Sequence, residues 1–511
     1  MIPMKKNLFT AIAFVAFVLF VPSATHAADS IPTRPEQLKF PDLNFQPPDA
    51  AQFRVQLKSG PVAYVIPDRE LPLVNISILV RCGDYLDPAG KEGLANLTGS
   101  LLVLGGTTNL TASELDERLA FLAAHLSTSV SDTSGNASLN LLSKDLDEGL
   151  GLLRDVLATP RFQEDKLKLT KDQSLQAMRQ RNDDSSSIEG REFGHLAYGD
   201  AFWANRDVTA KSLESISRDD LITFHHRWFH PANFIVAVSG DFDRDTMIAK
   251  LEKLFANWPF KGETPPAIPT ETQFAPRGVY VVNKDVNQGR VSILLPGVMR
   301  DDPDYFAGVI MNDILGGGGF TSRIMNRVRT EEGLAYSASS ALNGGTYYAP
   351  PFIASFQSKS RTVTYATSIV LDEMKHIAAA PVTDEELKTS INAKIETFPR
   401  AFASKAQIAG MFALEEFTGR YAKNPDYFKT YRDRFRAITK ADVQRAATRL
   451  LTSGQPTVLI VGQRDEILLG HPNHPQRLHD LGSKVTELPL RDPMTLEPQG
   501  EPKPITKPEN K

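Results

Sequence analysis

VNISILVRCGDYLDPAGKEGLANLTGSLLVLGG, residues 74–106, carries the reading of the whole chain. An apolar strand-like segment passes through an Asp-Pro turn into an apolar helix that glycines stop. The same order returns in RVSILLPGVMRDDPDYFAGVIMNDILGGG, residues 290–318. A second echo pairs SISRDDLITFHHRWFHPANFIVAVSGD (215–241) with AITKADVQRAATRLLTSGQPTVLIVGQ (437–463), each a capped helix followed by a buried strand. The offsets, about 215 to 222 residues, match a domain-sized unit and exceed any solenoid repeat, so the spacing predicts a duplication. Within each half, strands such as VAYVIPD (62–68) and ASLNLLS (137–143) alternate with amphipathic helices. One such helix is predicted over residues 112–126, opened by Thr111 or Ser113. The class is α+β, with helices covering one face of each sheet.

The 511 residues are 41% apolar and 23% charged, the composition of a folded soluble protein. A net charge of −4 provides no basic excess, and nucleic acid is not an expected partner. A single cysteine, Cys82, excludes an intrachain disulfide framework and any cysteine-based zinc cluster. MIPMKKNLFTAIAFVAFVLFVPSATHAADS (1–30) has Lys5 and Lys6, an apolar run, Pro22 and a small-residue exit at Thr25 and Ala27. That is the pattern of a secretory signal over residues 1–27, and it places the mature chain in an exported, most simply periplasmic, compartment with no membrane span after cleavage. The expected organisation is a first domain over 28–257, a linker WPFKGETPPAIPTETQFAPR over 258–277, a second domain over 278–481, and a Pro-rich polar tail over 482–511 without regular structure.

Several motifs in order resemble a known family. GLANLTGSLLVLGGTTNLTASELDERL (93–119), RQRNDD (179–184), HPANFIVAVSGD (230–241) and GGGGFTSRIMNRVRTEEGLAYSASS (316–340) are similar to the insulinase or pitrilysin-type metallopeptidases, in the two-domain form of the mitochondrial processing peptidase subunits. The resemblance implies two homologous domains, each a mainly antiparallel sheet forming half of a clam shell. In active members the helix beginning GLA carries H-x-x-E-H, in which two histidines bind zinc and the glutamate is the general base, and a later helix provides a third ligand. Here the first histidine position holds Asn96, the base position Gly99 and the second histidine position Ser100. The distal glutamate falls on or near Ala177. An amide, a hydrogen, a hydroxyl and a methyl do not make a zinc site. No shift of register recovers one, since residues 83–111 contain no histidine. His226 and His230 stand one helical turn apart, but their segment reads as aromatic packing rather than ligation. No metal is therefore expected in this chain.

The resemblance also implies that an arginine and a tyrosine of the second domain stabilise the tetrahedral intermediate, and their spacing persists as Arg329 and Tyr336. The competing reading pairs Arg329 with Glu331 or Glu332 and buries Tyr336. Gly316, Gly317, Gly318 and Gly319 either admit a substrate backbone or simply end a helix. The expected function is a zinc-free subunit of a heteromeric metallopeptidase. A homologous H-x-x-E-H partner would contribute the zinc, and the substrate would be an unstructured peptide. The alternative is a catalytically inert scaffold or peptide-binding protein with the same fold.

Overall fold

The computed structural model describes residues 44–506 together with Arg34, Gln37 and Leu38. The proposed signal segment and the last residues of the tail lie outside the described residues. Up to Phe45 the chain is a separate unit, described only at a few positions such as the turn in which Gln37 N donates to Arg34 O. From Gln46 onward it is one compact unit.

The first half contains β1 (Arg54–Gln56), β2 (Val62–Pro67), β3 (Leu73–Val80), β4 (His125–Val130), β5 (Gly135–Leu142) and β6 (Phe234–Gly240). Its helices are α1 (Leu94–Leu104), α2 (Ala112–Phe121), α3 (Leu146–Ala158), α4 (Glu164–Arg179), α5 (Ser185–Tyr198), α6 (Ala210–Ser215), α7 (Arg218–Trp228) and α8 (Arg244–Phe255). The second half contains β7 (Gly278–Asn283), β8 (Gln288–Leu295), β9 (Val298–Met299), β10 (Ala335–Ala341), β11 (Gly344–Gly345), β12 (Phe352–Lys359), β13 (Thr457–Gly462), β14 (Val485–Leu488) and β15 (Lys503–Pro504). Its helices are α9 (Tyr305–Asn312), α10 (Arg323–Met325), α11 (Val363–Ala379), α12 (Asp384–Thr397), α13 (Lys405–Phe417), α14 (Arg420–Lys423), α15 (Tyr427–Arg436), α16 (Lys440–Leu451) and α17 (Arg464–Leu469).

The two large sheets, β1-β2-β6-β3-β5-β4 and β15-β14-β7-β13-β8-β12-β10, share a five-strand order, β2-β6-β3-β5-β4 in the first and β7-β13-β8-β12-β10 in the second. In each, the strand that closes the second echo (β6, β13) lies between a parallel neighbour (β2, β7) and an antiparallel one (β3, β8). The internal similarity of the sequence is thus a similarity of topology. Strand β3 alternates, with Val74, Ile76, Ile78 and Val80 buried on one face. Strand β6, FIVAVSG, is buried throughout because helices lie on both of its faces.

Helix α5 of the first half packs on β8 and β13, where Ile188 and Leu196 join Tyr280, Leu294 and Leu459 in one cluster. Helix α13 of the second half packs reciprocally on β2 and β6. Glu416 of α13 accepts two bonds from Arg54, each 3.0 Å, and one from the Tyr64 hydroxyl at 2.9 Å. Each sheet therefore carries its own half's helices on one face and one helix lent by the other half on the second.

Two local expectations need correction. The helix predicted over 112–126 ends at Phe121, Ala123 takes φ +48°, and His125 begins β4. Pairing of β4 with β5 outweighs the helical periodicity of LAAHL. Thr111 is the cap, with Glu114 completing a capping box. The segment beyond residue 482 is not wholly irregular: β14 pairs in parallel with β7, and Arg491 reaches Glu192 at 2.7 Å. Arg181 and Asn182 also donate to Pro493 O and Arg491 O, and Ala210 N to Met494 O, so contacts to the first half seat it. The Pro-rich stretch 258–277 has no regular structure and runs along the first half, with Trp203 Nε1 donating to Pro269 O at 3.0 Å.

Candidate functional site

Helix α1 starts where Gly93 takes φ +98°, and Asp87 caps it by accepting from Gly93 N at 2.7 Å and Ala95 N at 2.8 Å. Asp87 is only 6% exposed. Burial pushes its carboxyl up to about 7 despite those two donors. Of the positions aligned with the metal ligands, Asn96 is exposed and donates to Val130 O at 3.4 Å, a long contact. Ser100 is half-buried, and Ala177 is exposed on α4, which packs beside α1.

Gly99 is the informative position. A Cβ there would lie 2.3 Å from Val130 N and 2.7 Å from Ser129 C, so α1 rests directly on the backbone of β4. A side chain at the position of the general base would have to displace a strand. The donor set and this contact together do not fit a zinc ion, and among the described residues no group of three His, Cys, Asp or Glu side chains is placed to hold a metal.

The histidines of α7 are packing residues. His225 is fully buried, its Nε2 donates to Leu157 O at 2.8 Å, and burial pulls its pKa down to about 3. His226 lies against Phe260 with ring centroids 4.5 Å apart, and His230 Nε2 donates to Glu263 O at 2.9 Å. The two do not converge on a shared ligand.

The second half presents a different arrangement. Two π-helical turns, Asp313–Gly317 and Asn326–Glu331, interrupt the helices that flank the glycine run. The second of them carries Arg329, while Val328 and Ile324 anchor the segment in the core. The Arg329 guanidinium lies 4.7 Å from the ring centroid of Phe320 and 4.7 Å from that of Tyr336. Tyr336 is 84% exposed and Phe320 66% exposed. Glu331 is engaged by Arg327, and no carboxylate among the described residues pairs with Arg329. The structure therefore brings Arg329 and Tyr336 together at the surface, and neither the ion pair nor the burial weighed against them occurs. Phe320 escaped sequence reasoning, yet it had a signal: a large apolar residue inside GGGGFTS, where a turn needs none.

The glycines divide. A Cβ on Gly316 would be 2.5 Å from Ser340 N, one on Gly317 2.6 Å from Asn312 Nδ2, and one on Gly318 2.7 Å from Asp313 O. Their close approaches are to the chain itself. Gly319, at φ +63°, meets nothing within 4 Å and alone faces open space. No hydrogen bond, ion pair or ring contact among the described residues joins Arg329 or Tyr336 to Asn96, Ser100 or Ala177.

The chain is similar to several known proteins. Residues 65–195 match the family profile described as Insulinase (Peptidase family M16), and residues 215–394 match the profile Peptidase M16 inactive domain. An uncharacterized zinc protease of Rickettsia bellii is 22% identical over 405 residues, covering 76% of this chain and 93% of the relative. A Helicobacter pylori protein named as a non-peptidase homolog is 27% identical over 322 residues, covering 62% of this chain and 73% of its own. Among solved structures, a peptidase M16 inactive domain from Pseudomonas fluorescens superposes with a TM-score of 0.71 at 23% identity, over 80% of this chain and 97% of that one. The periplasmic protease PqqL of Escherichia coli superposes with a TM-score of 0.67 at 15% identity, over 80% of this chain and 45% of that one.

Proposed function

Because the chain belongs to the insulinase family, peptidase family M16, as a non-catalytic member, we propose that it is the zinc-free subunit of an exported heteromeric metallopeptidase. In this reading a homologous H-x-x-E-H subunit would hold the zinc, which would supply the water-activating chemistry. This chain brings Arg329 and Tyr336 to the peptide carbonyl under attack. One observation carries the reading: the Arg329 cation is held between two exposed aromatic rings and is not neutralised by any carboxylate among the described residues. A guanidinium and a phenol hydroxyl fixed in advance lower the cost of charge growing on the carbonyl oxygen, because they need no reorganisation when it appears. Export is supported by the signal-like residues 1–27 and by the periplasmic setting in the name of the PqqL neighbour.

The test is to mix the full chain with an H-x-x-E-H homologue encoded by the same genome and assay cleavage of an unstructured peptide. Arg329→Ala and Tyr336→Phe are each expected to lower kcat by about 100- to 1,000-fold, the range for loss of one oxyanion donor, with the complex still assembled. Rates within about twofold of wild type would leave the inert scaffold or peptide-binding protein as the better reading.

A further inference from the structure

At the start of α9, away from α1 and from Arg329, lies a cavity of about 680 Å³ between the Asp-Pro turn and helices α14, α15 and α16. Five cationic side chains line it: Arg300, Arg420, Lys423, Arg434 and Arg445. The acids around them are already taken. Asp302 accepts from Arg449 at 2.7 Å and from Asp304 N at 2.8 Å. Asp442 is held by Thr439 and by Arg445 at 2.7 Å. Glu415 pairs with Arg420 at 3.2 Å, and Asp301 stands 4.0 Å from Lys423. After these pairings Arg300 and Arg434 have no carboxylate at ion-pair distance among the described residues, although the charges of Glu415 and Asp301 reach Arg300 from farther away.

Both are held in place. Arg300 donates to Thr418 Oγ1 at 3.1 Å and Thr418 O at 3.0 Å. Arg434 lies 5.4 Å from the Phe306 ring centroid and 5.6 Å from that of Tyr427, and Arg420 lies 4.2 Å from the same Tyr427 ring. The Nε donors of Arg300 and Arg420 find no acceptor among the described residues, so these leave neither guanidinium fully satisfied. Burial, and then the charge of Arg420, pulls the Arg300 guanidinium below its ordinary value. Clustered cations of this kind, fixed on aromatic faces and with donors left unpaired, lower their energy by taking up a negatively charged ligand. The cavity volume is within the range of small-molecule sites.

We propose that this cavity binds a small oxyanion group, a dicarboxylate or a phosphate, with Arg434 and Arg300 as its principal partners. The group belongs either to a free small anion or to an acidic peptide. The proposal is independent of the catalytic reading of Arg329. Calorimetric titration of the full chain at low salt tests it, using inorganic phosphate, succinate, and a glutamate-rich peptide with blocked ends. Saturable binding is expected for at least one probe, and Arg434→Ala and Arg434→Gln are each expected to weaken it by about tenfold or more, the loss of one charge-assisted contact. Arg436→Ala, outside the cavity, is expected to leave it unchanged. Binding of succinate or phosphate identifies a free anion, and binding of the peptide alone identifies acidic side chains; either supports the site. No saturable binding up to about 10 mM, or an affinity that both Arg434 variants leave within about twofold, overturns it.

Discussion

The contact between Gly99 and β4 makes a prediction about whether the catalytic residues can be put back. In an open helix position, Gly→Ala stabilises by about 1 kcal/mol, through reduced chain entropy in the unfolded state. At Gly99 the new Cβ would sit 2.3 Å from Val130 N. Van der Waals contact requires roughly 1 Å more, and overpacking of a filled site costs about 1–3 kcal/mol. Retreat is blocked, because Leu94, Leu97 and Leu101 of the same helix are buried in the core. Gly99→Ala is therefore expected to lose about 1–2 kcal/mol net. Gly151 in α3 is the internal control: a Cβ there meets nothing within 4 Å, and Gly151→Ala is expected to gain up to about 1 kcal/mol. Urea unfolding followed by circular dichroism measures both. The combined Asn96→His, Gly99→Glu, Ser100→His variant is expected to be less stable still and to bind no stoichiometric zinc. Equal stability of the Gly99→Ala and Gly151→Ala proteins would refute the argument, as would tight zinc binding by the triple variant.

The joint between the halves is expected to depend on Glu416, whose side chain is 16% exposed and which accepts from Arg54 and Tyr64. Removing one partner of a mostly buried pair leaves the other unpaired, so Glu416→Ala should cost about 2–4 kcal/mol in urea unfolding, and a loss below about 0.5 kcal/mol would contradict that role. The buried Asp87 carboxyl, raised to about 7 from 3.8, makes the folded state bind a proton more readily than the unfolded state between those values. Its stabilising effect is complete below about pH 4 and is lost as pH rises through 7. Asp87→Asn, which cannot ionise, should therefore gain stability relative to wild type as pH rises from 4 to 8, and a difference independent of pH in that interval would count against the assignment.

Much of this architecture was open to sequence reasoning because it is local or repeated. The strand, Asp-Pro turn and glycine-stopped helix recur in both halves, and a recurrence needs no tertiary information to be seen. The missing zinc ligands were legible through the resemblance, which puts Asn96, Gly99 and Ser100 at the ligand and base positions. The short helix α2 was less legible, since only pairing of β4 with β5 turns residues 125–126 into strand.

From residue identities and spacing alone followed the duplication and the α+β class, because chemistry and periodicity are properties of the chain itself; the degenerate zinc positions on α1 and the Arg329 and Tyr336 spacing were legible only through the resemblance to a known family. Only the folded arrangement decided that α5 and α13 are exchanged between the halves, that β4 fills the space a glutamate at position 99 would need, that Phe320 and Tyr336 both lie against Arg329, with which no carboxylate among the described residues pairs, and that Arg300 and Arg434 line one cavity. These depend on which distant surfaces come within a few ångströms of each other, and close packing between segments far apart in sequence leaves no regular trace along it.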